Sequence, residues 1–154
     1  MDMSRLLKPE SIRVVTHSTS KKRLFRTLAE VAHAAYGIDE DVALDSLQER
    51  ESLGSTGVGH GVALPHARIE CVTEVLGVFI KLEKPCDYAS VDKAAVDLVF
   101  ALFAPREAGV DHLKALAYVS RTLRDSAVCA KLRANNDPVT LHALLSSVAG
   151  VKAA

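Results

Sequence analysis

Hydrophobic residues change their period several times along this chain. From Ser20 onward the apolar positions Leu24, Leu28, Val31 and Ala35 recur at helical spacing, with Ser18, Thr19 or Ser20 to cap the start and Gly37 to stop it. This predicts an amphipathic helix whose Lys21, Lys22 and Arg23 lie in an exposed first turn. A second helix is expected from a cap at Asp39, with Val42, Ala43 and Leu47 facing inward, running out near Arg50 before Gly54. Between Leu53 and Ala67 the helical period vanishes, and Gly54, Gly57, Gly59 and Gly61 predict short extended pieces joined by sharp turns. The runs Val75 to Leu82 and Val96 to Phe103 are apolar on both faces, the mark of strands in the middle of a covered sheet. In the first of them Val75 and Phe79 face one way and Leu76, Val78, Ile80 and Leu82 the other, while Pro105 ends the second. The polar link at 84–94 has room for a short edge strand, and Ile12 to Val15 reads as one more short strand.

The last third returns to helical spacing. Asp111 or a neighbour caps a helix with an inner face of Leu113, Leu116, Ala117, Ser120 and Leu123, and Arg121 and Arg124 suit its negative end. Ser126 starts a shorter helix with Val128 and Leu132, and Asp137-Pro138 opens a third whose stripe is Leu141, Leu144, Leu145 and Val148. Helices on either side of a strand-rich middle predict an α/β fold: a single-domain sandwich over residues 1–154, with a mixed central β-sheet flanked by helices.

Composition narrows the function. A length of 154 residues, 49% hydrophobic and free of repeats or linkers, suits one compact domain. The 19 basic and 19 acidic residues cancel, which removes the simplest electrostatic argument for nucleic acid. Its apolar runs fall well short of the roughly 20 residues of a membrane span. The N-terminus lacks the pattern of a secretory signal, so a cytoplasmic protein is expected. Cys71, Cys86 and Cys129 are odd in number and form no C-x-x-C pair, which predicts reduced thiols rather than disulfides or a zinc cluster.

Reactive side chains gather in and beside the glycine-rich segment: Arg50, Ser55, Thr56, His60 and His66. No lysine follows the glycines as a P-loop requires, and they do not open a helix as a dinucleotide fingerprint does. His60 and His66 stand six apart with Pro65 between them, a poor metal spacing. Pro65 does stiffen the backbone that presents His66, and a neutral imidazole so held can accept a phosphoryl group. A hydrogen-bonded structural histidine is the other reading of the same residues.

The run from Arg50 through Gly54-Ser55-Thr56-Gly57, Gly59, Gly61 and Pro65-His66-Ala67-Arg68 resembles the active-site signature of a known family. That family is the IIA domains of the phosphoenolpyruvate-dependent phosphotransferase system, mannitol/fructose type, and the chain is similar above all to its stand-alone nitrogen-regulatory members. The strand carrying Gly77-Val78-Phe79, the strand from Val96 to Pro105 and the helix opening with His112-Leu113 extend the resemblance over nearly the whole chain. It implies that His66 is phosphorylated by the phosphohistidine of a small carrier, HPr or its nitrogen-branch counterpart NPr. It also implies that His112 is the second active-site histidine, which a stripe of His112, Leu116, Val119 and Leu123 would accommodate, and that Arg50 donates to phosphate oxygens. The hydroxyls of Ser55 and Thr56 and the backbone N–H groups around Gly57 are further expected donors, with no cofactor and no metal. His60 stands where members often carry asparagine and is expected at the rim; His17, His33 and His142 are expected to be surface or boundary residues without partners. The implied role is a phosphocarrier that regulates partners such as potassium transporters or sensor kinases. A chain without a IIB extension favours that role over the IIA unit of a sugar permease, and a regulator that docks without phosphate is the third possibility.

Overall fold

A computed structural model describes residues 2–153, with side chains as far as Ser147. Ser20 accepts the Arg23 N–H at 3.1 Å and starts helix α2 (Lys21–Tyr36), preceded in the chain by the single-turn helix α1 (Met3–Leu6), and Gly37 stops α2 at φ 72°. Asp39 caps α3 (Glu40–Ser52) through the Val42 N–H. Its buried stripe is Ala43, Leu44 and Leu47, and Val42 turns outward at 43% exposure, against the expectation. Neither α1 nor the 3-10 turn Pro9–Ser11 shows in the hydrophobic pattern, being shorter than one helical period needs.

Six strands form one mixed sheet: β1 (Ile12–Val15), β2 (Gly57–Gly59), β3 (Val62–Ala63), β4 (His66–Arg68), β5 (Leu76–Cys86) and β6 (Val96–Ala104). The order is β1-β5-β6-β3-β2, and β4 also pairs with β6. Strands β5 and β6 are antiparallel with Phe79 opposite Phe100, and β1 runs parallel to β5. The short strands β3 and β4 follow one another along the same edge of β6, Val62 beside Leu98 and His66 beside Leu102. Pro65 lies in the gap between them, where its missing N–H breaks no ladder bond.

Period-two alternation divides the central strands between two cores. Val78, Ile80, Leu82, Val99, Ala101 and Phe103 face Leu24, Phe25, Leu28 and Leu47 of α2 and α3. Phe79, Leu98, Phe100 and Leu102 face the other helical layer: α4 (Val110–Arg124), α5 (Ser126–Arg133) and α6 (Pro138–Ala153). The result is a helix–sheet–helix sandwich. Among the described residues no helix is long and apolar enough to cross a membrane.

Three expectations need correction. The 84–94 link holds no separate edge strand, because β5 itself continues to Cys86 and pairs there with Val96 after a register shift. The phase of α4 is the one that buries His112, Ala115, Val119, Thr122 and Leu123, leaving Leu113 63% exposed; the residue that precedes it is Gly109, close to Asp111, without a side-chain cap. Polar residues enter this core because they find partners or a function there; Thr122 Oγ1, for instance, donates to the Tyr118 carbonyl at 3.0 Å. His33 and His142 are not without partners: His33 Nδ1 meets the Ile38 carbonyl and His142 Nε2 that of Leu7. In α6, capped by Asp137 through Thr140, Leu141 and Leu145 are buried, and the Val148 side chain lies outside the described residues. Cys86 and Cys129 are buried free thiols and Cys71 is exposed.

Lys81 in mid-β5 is a cation inside the second layer, only 4% exposed. Its Nζ donates to the carbonyls of Arg133 at 2.7 Å and Asn135 at 2.5 Å and to Asn136 Oδ1 at 2.7 Å. An ammonium at the carbonyl end of α5 matches the helix dipole and fastens the α5–α6 corner to the sheet. Lys81→Met removes the donor shared by three partly exposed acceptors, and urea denaturation should show a loss of about 1–3 kcal/mol in unfolding free energy.

Candidate active site

Leu64-Pro65 delivers the chain to β4, and the first residue of that strand is His66. Its Nδ1 lies 2.9 Å from the Leu64 carbonyl oxygen. A carbonyl only accepts, so Nδ1 carries the proton and the lone pair is on Nε2. Arg50, in the last turn of α3, agrees with that tautomer: its Nε donates to His66 Nε2 at 3.2 Å while Nη1 donates to the Gly54 carbonyl at 3.0 Å. Burial lowers the pKa of His66; the Leu64 acceptor opposes this, and the cations Arg50 and Arg68 lower it further. The half-buried ring is therefore neutral near pH 7, with one nucleophilic nitrogen.

His112, entering from α4, meets His66 edge to face with ring centroids 5.5 Å apart and planes at 71°. It is 4% exposed, and its Nε2 is buried without a hydrogen-bond partner among the described residues. Burial, then the nearness of the titratable His66 ring and of the Arg68 cation, push its pKa down to about 4. A buried polar nitrogen left unpaired beside a nucleophile is a group waiting for a ligand atom.

The glycine-rich segment is held by a residue the hydrophobic pattern did not single out. Glu51 follows Arg50, and its side chain is almost fully buried. It accepts from Lys21 Nζ at 2.9 Å, the Thr56 N–H at 3.0 Å and Thr56 Oγ1 at 2.5 Å, and the Tyr88 hydroxyl lies 2.8 Å from that same Thr56 oxygen. Burial pushes the Glu51 carboxyl up, but the bonds from Thr56 and Lys21 outweigh it and hold the group below its ordinary value. Lys21, expected in an open first turn, instead bridges Glu51 and the Tyr88 ring face, 4.4 Å from its centroid. The available signal was a carboxylate in the last turn of a helix, where the macrodipole opposes negative charge.

Arg50, His66 and His112 thus converge, and the expected phosphate cradle does not form as anticipated. The Thr56 hydroxyl is engaged with Glu51 and Tyr88. The N–H groups of Gly54, Thr56 and Gly57 bond to the Glu51 carbonyl, the Glu51 carboxylate and Ser55 Oγ, so they fix the loop instead of facing a ligand. Ser55 still has its hydroxyl proton to donate. Gly57 is required for packing, since a Cβ there would overlap the Ser90 side chain. His60 caps the β2–β3 turn at φ 56°; its N–H bonds to Asp92 and its carbonyl to Arg133, which is ion-paired with Asp97. Its hydrogen bonds are with that corner and not with Arg50, His66 or His112.

Residues 5–148 match the sequence model of the family described as phosphoenolpyruvate-dependent sugar phosphotransferase system, EIIA 2. The chain is 41% identical over 146 residues to a nitrogen regulatory protein of Bradyrhizobium diazoefficiens, covering 95% of each. It is 34% identical over 151 residues to a nitrogen regulatory protein of Escherichia coli, covering 97% of this chain and 93% of that one. Its fold is similar to the crystal structure of nitrogen regulatory protein IIA-Ntr from Neisseria meningitidis, with a TM-score of 0.86 and 29% identity over 93% of this chain and 98% of that chain.

The two depressed histidines make stability depend on acid in a stated window. Each must stay neutral in the folded protein, whereas the unfolded chain takes up protons below about pH 6.5. Stability is therefore full above that pH and falls as the pH drops toward 4, before the loss of the Glu51 contribution adds to it below about 4.5. His112→Asn should flatten the decline between pH 6.5 and 4 by about 1–3 kcal/mol, measured as denaturation midpoints against pH.

Proposed function

This chain belongs to the EIIA 2 family of the phosphoenolpyruvate-dependent sugar phosphotransferase system, and from that premise we propose that His66 Nε2 is its phosphoryl acceptor and that it serves the nitrogen-regulatory branch. At the family level the chain is a IIA-type phosphocarrier. The donor is the phosphohistidine of NPr or HPr, and the phosphorylation state of His66 selects which regulatory partners bind. The relatives named nitrogen regulatory protein support the regulatory reading.

One observation carries the assignment: His66 is neutral, has its proton held on Nδ1 by Leu64, and has its free lone pair under the guanidinium of Arg50. In the transfer, that lone pair forms a bond to phosphorus as the donor's N–P bond breaks, and the pair from the broken bond returns to the donor imidazole. The Nδ1 proton stays in place, and the Leu64 carbonyl stabilises the positive charge that develops on the ring. Arg50 must leave Nε2 as phosphorus approaches, and its N–H groups then meet phosphoryl oxygens; the unpartnered Nε2 of His112 is a second site for an oxygen. Little covalent chemistry is asked of the protein, so positioning and charge dominate. Leu53, 81% exposed at the end of α3, and Val110 and Leu113 beside His112 give the carrier an apolar surface to dock on.

Incubation with phosphoenolpyruvate, enzyme I and NPr or HPr should yield an acid-labile, base-stable phosphoprotein, and His66→Ala should abolish it; label that persists in the variant sinks the assignment. Arg50→Ala should slow acceptance by about 100-fold with the fold intact, followed by rapid quench. Onward transfer to a sugar-specific IIB protein at a comparable rate would move the chain from regulator to permease component.

A further inference from the structure

The hydrogen bonds of the glycine-rich segment leave an arriving phosphoryl group few donors there besides the Ser55 hydroxyl. Gly54, Thr56, Gly57 and His60 all have their N–H groups occupied within the protein. The phosphoryl group brings up to about two negative charges on three oxygens. Arg50 is one cation, and His112 is a neutral donor.

Arg68 lies two residues beyond His66 on β4, and alternate residues of a strand share a face. Ala67 between them is buried in the opposite core. Arg68 is exposed, and its Nη1 donates to the Arg106 carbonyl at 3.1 Å, which steadies the arm and leaves further guanidinium N–H groups for a ligand. Among the described residues it forms no ion pair, whereas Arg13, Arg26 and Arg133 all do. Its charge is felt at both rings, lowering the pKa of His66 and of His112. The structure therefore holds an uncompensated guanidinium on the strand face of the nucleophile, with a free fork of the kind that fits phosphate.

We propose that Arg68 is a second guanidinium for the phosphoryl group on His66, closing on its oxygens from the strand side while Arg50 holds them from α3. The inference rests on His66 being the acceptor. With five N–H groups, Arg68 can keep the Arg106 carbonyl and still reach the phosphoryl oxygens. Its charge is in place before the group arrives, and it favours the phosphorylated state over the free one.

The test compares wild type, Arg68→Gln, Arg68→Lys and His66→Ala, each labelled through phosphoenolpyruvate, enzyme I and NPr. Arg68→Gln should still be labelled on His66, but about tenfold more slowly and with the equilibrium shifted toward the carrier; Arg68→Lys should fall between it and wild type. Phosphorus NMR adds a readout that a purely structural role would leave unchanged: the phosphoryl pKa should be higher in Arg68→Gln, because the dianion has lost a cation. Wild-type rate, equilibrium and phosphoryl titration in an Arg68→Gln protein labelled on His66 overturn this inference alone. Label that persists in His66→Ala overturns the assignment of the acceptor and this inference with it.

Discussion

The hydrogen bond from His66 Nδ1 to the Leu64 carbonyl sets which nitrogen of the ring is free to react, and much of the fold serves to hold that one contact. The two residues lie on either side of Pro65, whose ring stiffens the step between them. Both flanks are tied down: the Leu64 N–H bonds to the Thr56 carbonyl at 2.9 Å, and the Pro65 carbonyl accepts from Leu102 of β6 at 3.0 Å. The edge of β6 carries β3 and β4 in succession. A central strand buried on both faces thus positions the His66 ring on an edge segment only three residues long.

Around that ring the two halves of the sandwich meet. Arg50 comes from α3, which packs on one face of the sheet, and His112 from α4, which packs on the other. His66 is reached from both because β4 lies off the main path of the sheet. Burial keeps both imidazoles neutral, and the positive charge is supplied by guanidinium groups that cannot lose it. On the proposed function the labour divides simply: neutral nitrogens for bonding, permanent cations for the phosphoryl charge. Behind this layer, Glu51 is a buried anion matched by Lys21 and Thr56, and it secures the turn between Arg50 and the glycine-rich segment.

Long elements with strong periods could be read from the sequence: α2 with its Ser20 cap and Gly37 stop, the two-faced strands β5 and β6, and even the short β1. The phase of α4 was not fixed by hydrophobicity, because Leu113 is an exposed leucine and His112 a buried histidine, the reverse of what burial preference predicts. Family resemblance singled out His112, whose stripe with Leu116, Val119 and Leu123 the helical spacing also allowed. The motif also drew attention to Thr56 and Gly57 as phosphate donors, whereas their polar groups bond within the loop. A sequence shows that a donor exists but not which acceptor the tertiary fold brings to it. Glu51 was missed for the same reason, since its partners Lys21 and Tyr88 lie 30 residues or more away in the chain.

The most direct measurement of this account is the identity of the phosphorylated atom. Protein carrying nitrogen-15 histidine, phosphorylated and examined by nitrogen and phosphorus NMR, should show the phosphoryl group coupled to Nε2 of His66 while Nδ1 retains its proton. A phosphoryl group on Nδ1 of His66, or on any other histidine, would contradict it.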